Sequence, residues 1–277
     1  MKGIDVSKHQ GVIDWQKVKA EGIEFAIIRA GYGMYTNQKD PQFDANMKGA
    51  KAAGIPVGVY WYSYARIVAE AQKEAECCLE ILEPYRNQIV LPVFFDQEYE
   101  PEILAQTKTL RTEMCRIFME TVQEAGYRSG LYCSLDWYEN KVDSSPLLKF
   151  PVWIAQYDVE ECTGDYFNLI CWQYTSKGSV DGISGNVDMN IGYNGLLQSN
   201  TNGWVKEGEA WYYYENGQPV KSAWRLIDGK WYALGADGKM LDGIQTIAGK
   251  QYYFYEESEG GRFHGEMAQT NEKGELV

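Results

Sequence analysis

Two carboxylates lie two positions apart at the end of an apolar run, Ile89-Val-Leu-Pro-Val-Phe-Phe-Asp-Gln-Glu98. An uncharged run of this length predicts a strand buried on both faces, as in parallel sheets. Because strand side chains alternate, Asp96 and Glu98 face one cavity with Cα atoms about 6.6 Å apart. Two carboxylates this close repel each other as anions, so one keeps its proton to higher pH and suits a general acid. The motif is short, and acids that only cap a helix or form salt bridges would give the same pattern.

The elements that would position these acids alternate along residues 1–195, where short apolar strands are separated by helical stretches. This alternation predicts a parallel α/β domain, and eight strands with shortened later connections fit an irregular eight-stranded β/α barrel. The predicted strands are 3–6, 24–31, 55–63, 89–96, 129–133, 152–156, 169–174 and 187–190. The predicted helices are 14–21, 43–53, 68–83, 107–125 and 135–141.

Barrel enzymes carry their chemistry at the C-terminal ends of the strands, and four acids fall at such positions. Asp5 ends the first predicted strand, Asp96 and Glu98 the fourth, and Asp188 the eighth, so all four converge on one opening. Aromatic and amide side chains accompany them at other strand ends: Tyr32, Tyr60, Tyr62, Trp153, Tyr157, Trp172, Gln156 and Gln173. Flat aromatic faces with a few polar groups suit sugar rings, whereas each aromatic singly is also explained by core packing.

Composition and charge narrow the class of partner. The formal net charge of −13 argues against nucleic acid, and no stretch is apolar for long enough to span a bilayer. The six cysteines form no CxxC pair and read as reduced core thiols, although Cys162 and Cys171 are near enough to pair. The two histidines, His9 and His264, are too few and too far apart in the sequence for a two-histidine metal site, and we interpret both as solvated loop residues. We predict no metal site and no cofactor. The first ten residues lack signal-peptide features, so we expect cytoplasmic synthesis with later release, or a signal segment removed from this chain.

Several motifs of residues 1–195 resemble the family 25 glycoside hydrolases, the Chalaropsis-type lysozymes. The matching segments, in order, are Gly3-Ile-Asp-Val-Ser-Lys-His-Gln-Gly11, Phe25-Ala-Ile-Ile-Arg-Ala-Gly-Tyr-Gly33, Gly58-Val-Tyr-Trp-Tyr62, Asp96-Gln-Glu98, Val152-Trp-Ile-Ala-Gln-Tyr157, Trp172-Gln-Tyr174 and Gly185-Asn-Val-Asp-Met-Asn190. The resemblance implies an N-acetylmuramidase that cuts the β-1,4 bond between N-acetylmuramic acid and N-acetylglucosamine in peptidoglycan.

By the same resemblance, Glu98 is the proton donor, and Asp96 either stabilises the oxocarbenium-like centre or orients the acetamido group of the substrate. Asp5 and Asp188 match the supporting acids of the family, and Gln97 is expected to point away from the cleft. Substrate contacts are expected from Tyr32, Tyr60, Tyr62, Trp153, Gln156, Tyr157 and Gln173. Two alternatives stay open from the residues alone, a chitinase-like hydrolase and a wall-binding protein without catalysis.

The composition changes after residue 197, which predicts a catalytic barrel at 1–197, a polar linker at 198–203 and a repeat module at 204–277. Trp204 and Trp224, and likewise Trp211 and Trp231, recur at intervals of 20 residues. Asn216-Gly217 and Asp237-Gly238 are predicted as hairpin turns, so the module is a small all-β solenoid of stacked aromatic hairpins.

This module resembles the cell-wall-binding repeats of choline-binding proteins and clostridial toxins. The resemblance implies a cage for choline or another wall group, built from Trp204, Trp211, Trp224 and Trp231, although tryptophans that only join the hairpins would look the same. The third unit departs from the pattern at Ile244 and in the irregular end at 257–263. Together the two modules predict an endolysin or autolysin that acts on the bacterial cell wall.

Overall fold

The computed structural model describes residues 1–164, 166–197, 203–215, 218–256 and 264–268. Its contacts divide the chain into two compact units, Met1–Gln198 and Ser199–Val277. Most of the predicted linker, 198–202, the turn at 216–217 and the irregular end at 257–263 lie outside the described residues.

The first unit is a closed barrel whose eight strands follow one another in sequence order. The strands are β1 (Lys2–Val6), β2 (Phe25–Tyr32), β3 (Val57–Tyr62), β4 (Ile89–Asp96), β5 (Ser129–Ser134), β6 (Val152–Ala155), β7 (Leu169–Gly178) and β8 (Val187–Gly192). All eight predicted strands are therefore confirmed.

The last strand departs from the predicted parallel arrangement. From β1 to β7 each strand is parallel to the next, whereas β8 is antiparallel to both β7 and β1. Only residues 179–186 join β7 to β8, and a parallel crossover needs a dozen residues or more, so the chain turns back in a hairpin.

Helices pack outside the barrel in the connections between strands. They are α1 (Trp15–Ala20), α2 (Phe43–Ala52), α3 (Val68–Leu82), α4 (Pro101–Leu104) and α5 (Lys108–Glu124). Side-chain caps explain where α1 and α5 begin: Asp14 Oδ1 accepts from Gln16 N at 3.2 Å, and Thr107 Oγ1 accepts from Leu110 N at 3.1 Å. The predicted helix at 135–141 is a π-helical turn at Trp137–Lys141, and the short α4 was not predicted.

Strand alternation produces two apolar layers. On β4, Phe94 points into the barrel, where Trp153 lies at 5.3 Å between ring centroids. Its neighbour Phe95 points outward onto α5 and lies 4.5 Å from the ring of Phe118. Burying a Phe side chain contributes about 1.5–3 kcal/mol, so these layers hold the barrel and its helices together. Because Phe94 fills the interior, the next inward position, Asp96, lies at the mouth.

The cysteines are reduced thiols, as the sequence predicts. All six cysteines lie in the described residues and are free, so the conceivable pair of Cys162 and Cys171 does not form. Burial raises the pKa of the Cys115 and Cys171 thiols, which keeps them protonated and unreactive. No described helix combines the length and the apolar character needed to cross a bilayer.

The second unit consists of β-hairpins, as predicted. Its strands are β9 (Gly203–Glu207), β10 (Ala210–Glu215), β11 (Gln218–Pro219), β12 (Ala223–Ile227), β13 (Lys230–Leu234), β14 (Gly243–Ile247) and β15 (Lys250–Phe254). The pairs are β9 with β10, β12 with β13, and β14 with β15, and β11 adds to the first of them. Rings of successive hairpins touch, with Trp204 against Tyr232 and Trp224 against Tyr252.

The turns at the hairpin tips differ from the prediction. The tips of the second and third hairpins are Asp228-Gly229 and Ala248-Gly249, where all four residues have positive φ. This is the conformation of the type I′ turn, which matches the strand twist of a two-residue hairpin. Asp237-Gly238 instead closes a short turn after β13, where a single bridge pairs residues 234 and 240.

Candidate functional site

A cavity of about 350 Å³ opens at one mouth of the barrel, and all four predicted acids line it. The complete lining is Asp5, Ser7, His9, Gln10, Arg29, Tyr60, Tyr62, Asp96, Glu98, Tyr132, Trp153, Tyr157, Gln173 and Asp188. The volume falls within the range of small-molecule sites, and the lining combines acids with aromatic rings.

Asp96 and Glu98 reach the cavity from the end of β4. Asp96 is the last residue of the strand, and its backbone carbonyl accepts from Ser63 N at 2.9 Å. Glu98 lies beyond the strand, in the loop that follows. Gln97 between them is buried, and its Oε1 accepts from Cys115 Sγ at 3.2 Å and from Trp137 Nε1 at 3.1 Å. Gln97 therefore faces the helical layer, away from the cavity, as predicted.

Asp5 and Asp188 are directly opposite residues of β1 and β8. The prediction that Asp188 ends its strand was wrong, since it is the second residue of β8. Because β8 is antiparallel to its neighbours, its N-terminal end lies at the mouth where the other strands end. Asp188 therefore lines the predicted cavity from the N-terminal end of its strand, whereas Asp5 and Asp96 line it from the C-terminal ends of theirs.

Buried amides hold Asp5 in place. Its Oδ2 accepts from Gln173 Nε2 at 2.9 Å and from Asn190 Nδ2 at 2.8 Å. The Oε1 of Gln173 in turn accepts from the hydroxyls of Tyr132, at 2.8 Å, and Tyr157, at 2.5 Å. Gln173 thus couples an acid of the first strand to two tyrosines of the cavity wall.

Burial raises the pKa of all four acids in the cavity, and the charge of a neighbouring acid adds to this for Asp5, Asp96 and Glu98. For Asp5, burial raises the pKa most, the charge of Asp188 adds to it, and the two amide donors oppose it. Burial and then the charge of Glu98 raise the pKa of Asp96, and burial and then Glu100 raise the pKa of Glu98. Burial also raises the pKa of Asp188. Carboxyl groups at this mouth therefore retain protons to higher pH than free carboxyl groups.

One cation lies among these acids and was not predicted. Arg29 on β2 lines the cavity and binds Asp40 Oδ2 through Nε at 2.7 Å. Asp40 is buried and also accepts from Lys8 N at 3.0 Å. Although burial dominates and raises the pKa of Asp96, the guanidinium of Arg29 acts in the opposite direction. The signal in the sequence was the inward register of Arg29, two positions after Ile27 on a buried strand.

Five of the seven predicted substrate-binding residues line the cavity, namely Tyr60, Tyr62, Trp153, Tyr157 and Gln173. Tyr32 does not, and its ring lies 6.1 Å from Tyr64, which in turn lies 5.2 Å from Tyr62. Gln156 does not either, because its amide bonds Thr163, donating to Oγ1 at 2.8 Å and accepting from N at 2.9 Å.

The loop after β4 adds a contact that the sequence did not reveal. The hydroxyl of Tyr62 donates to Glu100 Oε1 at 2.6 Å, which fixes a ring of the cavity wall. Of the two histidines, His9 is exposed at the cavity rim, and His264 Nε2 lies 3.0 Å from Asp242 Oδ2 in the second unit. Within the described ranges, no group of three or more His, Cys, Asp and Glu side chains could hold a metal ion.

The second unit has a separate aromatic cavity of about 310 Å³, lined by Trp224, Trp231, Tyr252 and Met267. The predicted cage of four tryptophans is therefore divided. Trp204 packs instead on Tyr213, at 5.1 Å, and on Tyr232, at 4.8 Å. The tyrosine that completes each group comes from the following hairpin. Tyr232 of β13 contacts Trp204, and Tyr252 of β15 contacts Trp224.

Comparison with known proteins agrees with both units. The family model of glycosyl hydrolases family 25 matches residues 4–183, and a cell wall binding repeat model matches residues 202–217 and 222–240. Lysozyme M1 of Streptomyces globisporus is 31% identical over 200 residues, which are 69% of this chain and 67% of that protein.

Solved structures give the same result. The bacterial lysozyme from Streptomyces coelicolor is 28% identical, covers 72% of this chain and 97% of its own, and has a TM-score of 0.63. The modular autolysin LytC from Streptococcus pneumoniae is 30% identical, with a TM-score of 0.62 over 69% of this chain and 46% of that chain. A second LytC structure holds a synthetic peptidoglycan ligand. This chain thus spans less than half of LytC.

The match to the family model covers more than half of the chain, and it includes Asp5, Asp96 and Glu98 in the barrel mouth. The chain therefore belongs to the glycosyl hydrolases of family 25.

Proposed function

We propose that this protein is a lysozyme that hydrolyses the β-1,4 bond between N-acetylmuramic acid and N-acetylglucosamine in bacterial peptidoglycan. The observation that carries the proposal is the barrel mouth, where Asp5, Asp96, Glu98 and Asp188 line one aromatic cavity. Oxocarbenium-like transition states are positively charged, and carboxyl groups in such a cavity can supply both the proton and the opposing negative charge.

Glu98 is the general acid in this mechanism. It is only partly buried, so the glycosidic oxygen of a bound glycan can reach it, and its pKa is raised by burial and by Glu100. A carboxyl group with a raised pKa keeps its proton near neutral pH and can pass it to the leaving oxygen. After departure of the leaving sugar, the Glu98 carboxylate accepts a proton from the attacking water.

Asp96 lies deeper in the cavity, with an exposure of 2%. Its Oδ1 has no hydrogen-bond partner among the described residues, so an N–H of the substrate is a suitable donor. Two roles fit this position: Asp96 stabilises the developing charge at the anomeric carbon, or it orients the substrate's acetamido group as the nucleophile. Arg29 opposes the effect of burial on the pKa of Asp96, which favours the ionised form that both roles need.

Asp5 and Asp188 support the reaction through the field of the cavity, and the rings hold the sugars. Tyr60 packs edge to face against the buried Trp153 at 6.1 Å, and the half-buried ring of Tyr60 is an apolar surface for the C–H face of a pyranose. Tyr62 and Tyr157 bring hydroxyls to the same wall. No cofactor is needed for this chemistry, because the acids themselves move the protons.

The hairpin repeats attach the enzyme to the wall. Trp224, Trp231 and Tyr252 surround a cavity with three aromatic rings, and Met267 closes it. Aromatic faces attract a cation through their quadrupole, so choline or another quaternary ammonium group of a wall polymer is the ligand that this cage fits. The enzyme accordingly acts at the cell wall, outside the bacterial membrane, as an autolysin or an endolysin.

Digestion of purified peptidoglycan, followed by borohydride reduction and mass spectrometry, tests the proposal. Wild-type protein should produce reduced muramic acid, and Glu98→Gln should produce none while it keeps the wild-type melting temperature. Glu102→Gln is the matched control, because Glu102 is exposed on α4 and does not line the cavity. Reduced glucosamine as the new end would contradict the assigned bond, and turnover by Glu98→Gln would contradict the assigned acid.

A further inference from the structure

The first two hairpins of the repeat unit build the same aromatic arrangement twice. Trp204 of β9 lies 4.8 Å from Tyr232 of the second hairpin, at an interplanar angle of 67°. Trp224 of β12 lies 5.0 Å from Tyr252 of the third hairpin, at 65°. Each of these two hairpins therefore packs a tryptophan edge to face with a tyrosine of the following hairpin, in nearly the same geometry.

The remaining members of each set correspond as well. Met240 N donates to Trp211 O at 2.7 Å, and Met267 N donates to Trp231 O at 2.8 Å. We call Trp204, Trp211, Tyr232 and Met240 the first cage, and Trp224, Trp231, Tyr252 and Met267 the second cage. The second cage is the cavity of about 310 Å³ described above.

Two positions differ between the faces that carry the two cages. Tyr213 lies opposite Trp204 where Ala233 lies opposite Trp224, and the second difference is a charge. The residue directly opposite Trp211 across the hairpin is Lys206, and the residue directly opposite Trp231 is Leu226. Directly opposite residues of two antiparallel strands share one face, so each side chain lies beside the tryptophan of its own cage. Lys206 Nζ lies 5.9 Å from the centroid of the Trp211 ring, whereas Leu226 is uncharged and 57% exposed.

We propose that Lys206 is a specificity-determining residue that supplies the first cage with a cation of its own, so that a quaternary ammonium ligand binds mainly in the second cage. The inference rests on the proposed role of the repeats in binding such a ligand. A ligand that enters the first cage must displace the ammonium from Trp211 and then stay close to a like charge. Loss of the cation–π contact and repulsion at about 6 Å together weaken binding by roughly tenfold.

Titration of the full-length protein with choline chloride in a calorimeter tests this inequality. Wild type should show one stronger site and a second site about tenfold weaker. Lys206→Leu removes the cation from the first cage and should strengthen the weaker site by about tenfold, and Lys206→Gln should do the same with an uncharged polar side chain. The reciprocal Leu226→Lys should weaken the stronger site by about tenfold. Both positions are exposed strand residues, and near-ultraviolet circular dichroism checks the packing of the tryptophans.

Two results would overturn the role of Lys206: two equal sites in the wild type, or a Lys206→Leu isotherm identical to that of the wild type. Failure of the proposed ligand class looks different, because then neither the wild type nor any variant binds choline. Tetramethylammonium serves as the second probe. It should reproduce the pattern of sites, because the cages recognise the quaternary head group and not the hydroxyl of choline.

Discussion

Asp188→Asn should stabilise the barrel at slightly alkaline pH. Asp188 and Asp5 are directly opposite on β8 and β1, and both line the mouth. Burial and the charge of Asp188 raise the pKa of Asp5, so ionisation of both acids is opposed by their repulsion. An asparagine at position 188 keeps the shape of the side chain and removes one of the two charges.

The geometry sets the size of the effect. Directly opposite residues of antiparallel strands have Cβ atoms about 5 Å apart. Two unit charges at about 5 Å repel each other by about 3 kcal/mol at an effective dielectric constant of 20. Water at the mouth reduces this, because Asp188 is partly exposed, and we expect a gain of about 2 kcal/mol when both acids would otherwise be ionised. For a unit of this size, that gain raises the melting temperature by about 4–8 °C.

The sign depends on pH in a definite way. Both acids have a raised pKa in the folded state, so the folded chain binds more protons than the unfolded chain above the ordinary carboxyl range. Stability therefore falls as the pH rises through the raised values, and Asp188→Asn removes part of that fall. Near pH 4.5, where the folded state holds both acids protonated, the substitution should change the melting temperature by about 1 °C or less.

Thermal unfolding of wild type and Asp188→Asn at about pH 8 and about pH 4.5 measures the effect. Asp181→Asn is the control, because Asp181 is exposed, an asparagine can keep the hydrogen bond that its Oδ1 accepts from Gly182 N at 2.8 Å, and its ion pair with Lys17 at 3.4 Å contributes little at any pH. An unchanged melting temperature of Asp188→Asn at the higher pH, or an equal gain at both pH values, would contradict the assigned repulsion between Asp5 and Asp188. The rate of hydrolysis should fall in the same variant, because the negative charge of Asp188 destabilises the fold but supports the proposed reaction.

Two further substitutions test the surroundings of the acids. Glu100→Gln removes a charge that raises the pKa of Glu98, so the alkaline limb of the pH–activity profile should move down by roughly 0.5–1 unit; an unmoved limb would exclude Glu100 from tuning the acid. Gln97→Leu leaves the buried Trp137 Nε1 without its acceptor, so urea unfolding should show a loss of about 1–3 kcal/mol. Turnover per folded molecule should stay near wild type in Gln97→Leu, since Gln97 faces away from the cavity, and a large loss would contradict that orientation.

Local sequence patterns predicted the barrel and most of its mouth. Each strand is a short apolar run bounded by helical or turn residues, and this pattern depends only on near neighbours in the chain. The convergence of Asp5, Asp96 and Glu98 then followed from the rule that parallel strands end at one face. The antiparallel β8 escaped the prediction because periodicity carries no strand direction. The short connection at 179–186 was the available signal, since it excludes a parallel crossover.

Contacts between distant strands could not be predicted in the same way. Gln173 joins Asp5 on β1 to Tyr132 on β5, and nothing near these residues in the sequence specifies that network. The pair of Arg29 and Asp40 likewise depends on a loop that folds back to the barrel mouth. In the repeat unit, an interval of 20 residues located the tryptophans, but the third wall of each cage comes from the next hairpin. The assignment of four tryptophans to one cage therefore combined residues from two cages.

The apolar filling of the barrel and the acidity of its mouth have one structural cause. Phe94 and Asp96 occupy successive inward positions of β4, so the alternation that buries the ring also buries the carboxyl group. Burial without a full set of hydrogen-bond partners disfavours the carboxylate anion, so the pKa of the carboxyl group rises and it keeps its proton. Burial also raises the pKa of Glu98, two positions further along the chain, and a retained proton there is what a general acid needs. Repulsion among the ionised acids is what Asp188→Asn relieves. The same arrangement thus predicts both a reactive mouth and a barrel that is less stable than it would be without its acids.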